Sequence, residues 1–336
     1  MNILQDYSLK SHNTFKIDAH AQFFVDLDGT SDVYELLSTE MCNDLPWMVI
    51  GEGSNILFTQ DFEGLIIHLK NTEIQVLSES DRTIRIRVGA GLPWNRFVNY
   101  CIKNQYWGPE NLVSIPGTVG SAPFQNIGAY GMEVGRIIES VQGIFPDSGE
   151  MISIDAEECQ FSYRTSIFKT TLKNRFIITS VLFKLHKIPR PILSYEPLDR
   201  IFSEPTTPGL HAIADAVSGI RRQKLPDPAR LGNAGSFFKN PEVPEKFLKM
   251  LQINDPDIPF YSMPGNRFKV PAAWLIEKAG WKGKRIGQVG VYKRHALVLV
   301  NHGGAAGPEI LEFSNMIIDS VYRHFNIGLE YEVQII

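Results

Sequence analysis

Cysteine is scarce in this chain: three among 336 residues, Cys42, Cys101 and Cys159, odd in number and far apart. That argues against a disulfide framework and fits a reducing compartment. The eight histidines form no H-E-x-x-H pair or other ligand spacing, so no protein-held metal is expected. No apolar run approaches the roughly 20 residues that span a bilayer, so membrane insertion is not expected. MNILQDYSLKSHNTFKID also lacks the basic-then-apolar order of a secretion signal. Positive charge is not in excess: 33 Lys and Arg against 37 Asp and Glu leave a net charge of −4. No global field therefore draws nucleic acid or an anionic membrane. Repeats and low-complexity tracts are missing as well. What is present, 43% hydrophobic and 21% charged residues, describes a globular protein of the cytoplasm. The length suggests two or three domains.

Short strands broken by glycine turns fill the first third. WMVI (47–50) and LIIHLK (65–70) are apolar runs, and IRIRV (84–88) alternates, with Ile84, Ile86 and Val88 on one face. Pro93 opens a helix carrying Trp94, Phe97, Val98, Cys101 and Ile102 on one stripe. SVQGIF and MISID flank Pro-Asp-Ser-Gly-Glu as a hairpin, and RFIITSVLFKL (175–185) reads as a buried strand. A stretch with five prolines among 23 residues (187–209) is long for a connection, which favours a functional loop. Helices are expected at 209–222, 271–279 and 308–325, with a strand at 295–301. The closing LEYEVQII reads as a period-2 strand, Leu329, Tyr331, Val333 and Ile335 on one face and Glu330 with Glu332 on the other. Strands first, then helices mixed with strands, predict an α+β chain.

Two loops could hold phosphate oxygens. GEGSN (51–55) follows a strand, but Ile56 stands where a dinucleotide fingerprint needs its third glycine. The 17 residues IPGTVGSAPFQNIGAYG (115–131) hold four glycines, and neither loop ends in the G-K-[ST] of a P-loop. Together they point to a dinucleotide on a scaffold of another kind. RRQKLPDPAR is either a solvated helix end or a site for a second anionic ligand. GNAGSFFKNP (232–241) sets Ser236 beside glycine, but the G-x-S-x-G spacing of acyl-transfer enzymes is missing. Taken alone that stretch fits a tight turn, as Arg164 fits a surface arginine and Glu332 an exposed face.

In combination these blocks are specific. NTFKID, VIGEGSNILF, IPGTVGSAPFQNIGAYG, FSYRTS, KLPDP, GNAGSFFKNP, PAAWLIEKAGWKG, HALVLVN and LEYEV, in this order from about residue 10 to the last strand, resemble the UDP-N-acetylenolpyruvoylglucosamine reductase (MurB) family. The resemblance implies FAD, held non-covalently in a fold of the vanillyl-alcohol-oxidase (PCMH) type, in two subdomains (1–70 and 71–222). A C-terminal α+β substrate domain (223–336) would follow, its last strand returning to the active site. NADPH would be the co-substrate and a UDP-sugar enolpyruvate the acceptor, and the enzyme would act as a monomer.

By the same resemblance, Gly51, Gly53, Ser54, Asn55, Ile115, Gly117, Gly120, Ser121, Asn126, Gly128 and Ala129 would contact FAD. Arg164 and Glu332 would polarise the enolpyruvyl carboxylate and Ser236 would donate the proton at C2. Tyr195, on a closing loop near 188–208 of the type I subgroup, would join Arg221, Lys224, Asn240, Tyr261 and His295 on the substrate. A flavin oxidase of the same cofactor fold is the alternative, but no His or Cys motif for covalent flavin attachment is evident. A flavin-binding scaffold without turnover would show replacements at Arg164, Ser236 or Glu332, and all three are present.

Overall fold

The computed structural model describes residues 1–203 and 207–336. Residues 204–206, part of the expected Tyr195 loop, lie outside the described residues. The chain forms two compact units. The first comprises Met1–Tyr7, Ala21–Glu52 and Glu63–Arg221, the second Ser8–His20, Gly53–Phe62 and Arg222–Ile336.

Among its described residues the first unit holds two larger sheets and a two-stranded one, Gly128–Ala129 with Met132–Glu133. Ile3–Ser8, His20–Leu27, Phe62–Leu69 and Trp47–Ile50 lie in that order, the last two parallel with Trp47 opposite Leu65. The helix Thr30–Leu37 lies in the connection from His20–Leu27 to Trp47–Ile50, burying Val33 and Leu36. That helix was not anticipated in a region that reads as strands. The second sheet runs Met151–Asp155, Ile138–Ile144, Ile177–His186, Thr83–Gly89 and Ile74–Glu79, antiparallel throughout.

The expected alternation is realised in that sheet: Ile84, Ile86 and Val88 are fully buried, opposite Leu185, Phe183 and Val181. The hairpin expected around Pro146–Glu150 forms, with Ile144 opposite Met151. Helix Trp94–Lys103 buries all five residues of its expected stripe. Phe97 stacks on Phe183 at 4.4 Å, and each such side chain contributes about 1.5–3 kcal/mol through burial. The Trp94 indole N–H, which would otherwise be lost to water, donates to the Leu112 carbonyl at 2.8 Å.

The second unit is built on helix Gly307–Phe325, which buries Ile310, Phe313, Ile317 and Val321. Glu309 accepts the Ala306 N–H at 2.7 Å, and Asn326 ends the helix in the left-handed conformation at φ 54°. The unit also holds shorter helices, Glu245–Asn254 and Ala272–Lys278, two three-stranded sheets, and a parallel pair in which Gln334 lies opposite Ile56.

Two expectations need correction. HALVLVN is a strand only over Leu299–Asn301. Ahead of it the chain turns: the Val298 N–H donates to the His295 carbonyl at 3.1 Å. LEYEVQII is not a regular strand either. The Glu332 and Val333 N–H groups both point at the Phe237 carbonyl, at 2.9 and 3.5 Å, a bulge that resets the alternation. Glu330 is exposed and ion-pairs with Lys239 at 3.0 Å, while Glu332 is buried, so the two do not form one exposed polar face.

Candidate active site

In the first unit the long glycine loop is knit to the start of helix Trp94–Lys103. The Trp94 N–H donates to Gly117, the Val119 N–H to Leu92 and the Gly120 N–H to Ala90, each at 2.8 Å. Thr118 donates its N–H to the Ser121 hydroxyl at 3.0 Å, and that hydroxyl donates to the Thr118 carbonyl at 2.8 Å. Glu52, from the GEGSN loop, accepts the Gly117 N–H at 2.7 Å. A Cβ on Gly51 would stand 2.7 Å from the Thr118 hydroxyl, so the two loops abut there. Small residues leave the backbone bare where they meet, which suits close approach by a pyrophosphate-bearing cofactor. FAD fits these residues in that sense, although the Gly117 and Gly120 N–H groups already have partners within the protein.

Further along the same loop stand the residues around Arg164. The segment Ser162–Thr165 is a two-residue hairpin closed by reciprocal N–H to carbonyl bonds of 3.1 Å. Arg164 sits in it at φ 55°, a left-handed conformation that costs a non-glycine residue about 1–2 kcal/mol. Its guanidinium lies against Gly128: a Cβ there would be 3.2 Å from Nη1. Arg221 donates Nε–H to the Ser114 carbonyl at 3.1 Å. Burial lowers the Arg221 pKa most, neighbouring Tyr130 opposes that, and the Arg164 charge lowers it further. Two guanidiniums that disfavour each other's charge make a place suited to an anion.

Tyr195 approaches the same region, its ring 6.1 Å from that of Tyr130, edge to face. Asn111 holds this arrangement. Its buried side-chain amide donates to the carbonyls of Tyr130 and Ile192, both at 2.8 Å. Neither Asn111 nor Tyr130 was singled out from the sequence, because a buried polar clamp has no short motif.

The second unit brings Ser236 and Glu332 together. The Phe237 N–H donates to Leu297 at 2.8 Å, its carbonyl accepts from Glu332, and Ser236 bridges Val298. Phe237 and Phe238 are fully buried among Phe15 and Tyr331, which fixes the backbone on either side of the serine. Asn55 donates its amide to the Glu332 carbonyl at 3.1 Å and accepts the Gln334 N–H at 2.9 Å, tying the GEGSN loop to the last strand. Gly53 is required locally: at φ 59°, its Cβ would lie 2.0 Å from the His12 carbonyl oxygen.

The His295 Nδ1 accepts the Leu297 N–H at 3.3 Å. Asn240 accepts the Ala272 N–H at 2.9 Å at the start of helix Ala272–Lys278. Lys224 and Tyr261 are exposed. Among the described residues no His, Cys, Asp or Glu cluster could hold a metal. None of their helices is long and apolar enough to cross a membrane.

The family description "FAD binding domain" matches residues 21–155, and "UDP-N-acetylenolpyruvoylglucosamine reductase, C-terminal domain" matches 227–336. The fold and the paired glycine loops thus define an FAD oxidoreductase with a PCMH-type cofactor domain and a second α+β domain. A UDP-N-acetylenolpyruvoylglucosamine reductase of Amoebophilus asiaticus is 43% identical over 338 residues, covering 100% of both chains. One from Porphyromonas gingivalis is 43% identical over 337 residues, again covering 100% of both. The crystal structure of the Thermus caldophilus reductase, 22% identical, shares the fold at a TM-score of 0.68 over 99% of this chain and 98% of that one. The chain belongs to the UDP-N-acetylenolpyruvoylglucosamine reductase (MurB) family, whose members act in the synthesis of peptidoglycan precursors.

Proposed function

We propose that the protein reduces UDP-N-acetylglucosamine enolpyruvate to UDP-N-acetylmuramate at the expense of NADPH, as a monomer in the cytoplasm. Residues 1–70 and 71–222 serve as the two cofactor lobes and 223–336 as the substrate domain. FAD, when held by the GEGSN (51–55) and 115–131 loops, would supply two-electron hydride chemistry between NADPH and C3 of the enolpyruvyl group.

The observation that carries the reading is the seating of Ser236 beside Glu332, both held by the Phe237 backbone. Hydride arriving at C3 forms a C–H bond there and leaves an electron pair at C2, delocalised into the carboxylate. Arg164 stabilises that charge from its left-handed turn, and Glu332, in its protonated form, donates a hydrogen bond to the same carboxylate. Such donors act on charge that develops only as the reaction proceeds. Ser236 then gives its hydroxyl proton to C2, forming the second C–H bond, and its alkoxide is reprotonated from solvent. Arg221, Lys224, Asn240, Tyr261 and His295 bind the substrate, and Tyr195 closes over its phosphates. The pairing of cationic Arg164 and Arg221 supports an anionic substrate.

The test is an anaerobic absorption spectrum of the protein carrying FAD, taken alone, after NADPH, and after the enolpyruvyl substrate. The flavin band is expected to bleach with NADPH and to return with the substrate. A band that bleaches and stays bleached rejects this acceptor and favours the oxidase reading. No flavin band after reconstitution rejects the cofactor.

A further inference from the structure

We propose that Asn126 is a positioning residue for Arg164, holding the turn that presents the guanidinium; this rests on the reading above, in which Arg164 acts on the substrate carboxylate. Asn126 is almost fully buried, and its side chain makes three bonds. Its amide donates to Glu133 at 2.9 Å and to the Ser162 carbonyl at 3.1 Å, and its oxygen accepts the Gly135 N–H at 2.9 Å. Both amide hydrogens are thereby used inside the protein, so the FAD contact that the resemblance implies for Asn126 would come from its backbone, which Asn126→Asp keeps. Asn126 is itself left-handed, at φ 48°, where Asn and Asp are the best-tolerated side chains after glycine.

The Ser162 carbonyl is the acceptor that closes the Arg164 hairpin, since the Thr165 N–H also donates to it at 3.1 Å. Asn126 therefore grips the hairpin at its first corner. The far side is gripped separately: the Ser166 hydroxyl donates to Phe124 at 2.7 Å, and the Lys169 ammonium to the Arg164 carbonyl at 3.3 Å. A left-handed arginine persists only where its surroundings over-determine it, and these three bonds do so. Glu133 completes the clamp. It orients the Asn126 amide through its carboxylate, and its Cγ would stand 3.0 Å from a Cβ on Gly128, the residue that makes room for the Arg164 guanidinium. The same loop that carries proposed cofactor contacts thus also sets the turn of an arginine assigned to the substrate.

The test compares the two half-reactions in Asn126→Asp. This substitution keeps the acceptor for Gly135 and tolerates the left-handed backbone, but removes the donor to Ser162 and sets a second carboxylate beside Glu133. FAD affinity and bleaching by NADPH are expected to stay within about twofold of wild type. Reoxidation by the enolpyruvyl substrate is expected to slow about 10- to 100-fold, as for a misplaced catalytic group. In an Arg164→Ala background the same change is expected to add nothing, because the residue it positions is gone. Should the two carboxylates prevent folding, Asn126→Asp with Glu133→Gln restores the bond between those side chains but not the one to Ser162, and the same slowing is expected. Wild-type reoxidation in a variant that lacks the Ser162 bond overturns the inference, as does slowing that multiplies with Arg164→Ala. Weakened FAD binding with normal reoxidation makes Asn126 a cofactor contact instead. If wild-type protein itself does not reoxidise with this substrate, the functional reading fails and the inference falls with it.

Discussion

Glu332 donates its backbone N–H to the Phe237 carbonyl at 2.9 Å, one residue beyond Ser236 on the facing segment. The Ser236→Ala variant tests what this seating is for. It is expected to bind FAD and bleach with NADPH as wild type does. Its reoxidation by the enolpyruvyl substrate should slow by about 10² to 10⁴, the usual worth of a positioned proton donor. Anaerobic stopped-flow absorbance reads both steps, and an unchanged second step would remove the role proposed for the serine.

The glycine of the GEGSN loop at position 53 is expected to matter for folding as well as for cofactor binding. Gly53→Ala places a methyl 2.0 Å from the His12 carbonyl oxygen in a backbone at φ 59°, so the chain itself must move. FAD-stripped protein should melt several degrees lower, at about 2–4 °C per kcal/mol for a domain of this size. Thermal denaturation of the stripped variant settles it: an unchanged midpoint would mean the loop relaxes freely. The contrasting Gly51→Ala meets only the Thr118 side chain at 2.7 Å, which can rotate.

Glu110 carries a pH signature. It is buried, accepts the Gly108 N–H at 2.6 Å, and burial raises its pKa above the ordinary 4.5. As pH climbs past that ordinary value the unfolded chain releases its proton first, so stability falls until the folded pKa is passed and then levels off. Glu110→Gln removes this loss while its amide oxygen can still accept the Gly108 N–H. The stability of the variant relative to wild type should therefore rise with pH over that window and be flat above it. Urea denaturation across the acidic and neutral range measures the difference, and a difference independent of pH would contradict the shift.

The cysteines should be inert in the folded protein. All three are free and buried; burial pushes the Cys42 thiol up to about 11 and Cys159 to about 12, with Cys101 raised as well. Thiolate, the reactive form, is scarce at neutral pH, and access is blocked. Native protein at pH 8 is expected to take up almost no iodoacetamide, against three equivalents after denaturation, counted by mass. Rapid native labelling of one site would mark local opening there.

How much of this was legible beforehand depends on the range of the interaction. Ile84, Ile86 and Val88 alternate in the sequence and are buried together, because a strand's two faces are set by the pleat alone. The stripe of helix Trp94–Lys103 was equally plain, since spacing along one helix is local. LEYEVQII misled for the opposite reason. Its period-2 pattern is real, but the Glu332 and Val333 N–H groups converge on the carbonyl of Phe237, on a segment some 95 residues earlier in the chain, and Glu332 is buried where Glu330 is exposed.

The sequence by itself determined the family, the α+β class and the cofactor type, because runs such as GEGSN and IPGTVGSAPFQNIGAYG are contiguous and carry their chemistry in residue type and spacing. Only the tertiary structure decided which polar groups are already spent on holding the fold. The Asn126 amide binds Glu133 and Ser162, the Gly117 N–H binds Glu52, and the Asn111 amide holds the Tyr195 segment. A hydrogen bond is satisfied by whatever the fold brings near. Residue type states what a side chain can bind, and long-range packing decides what it does bind.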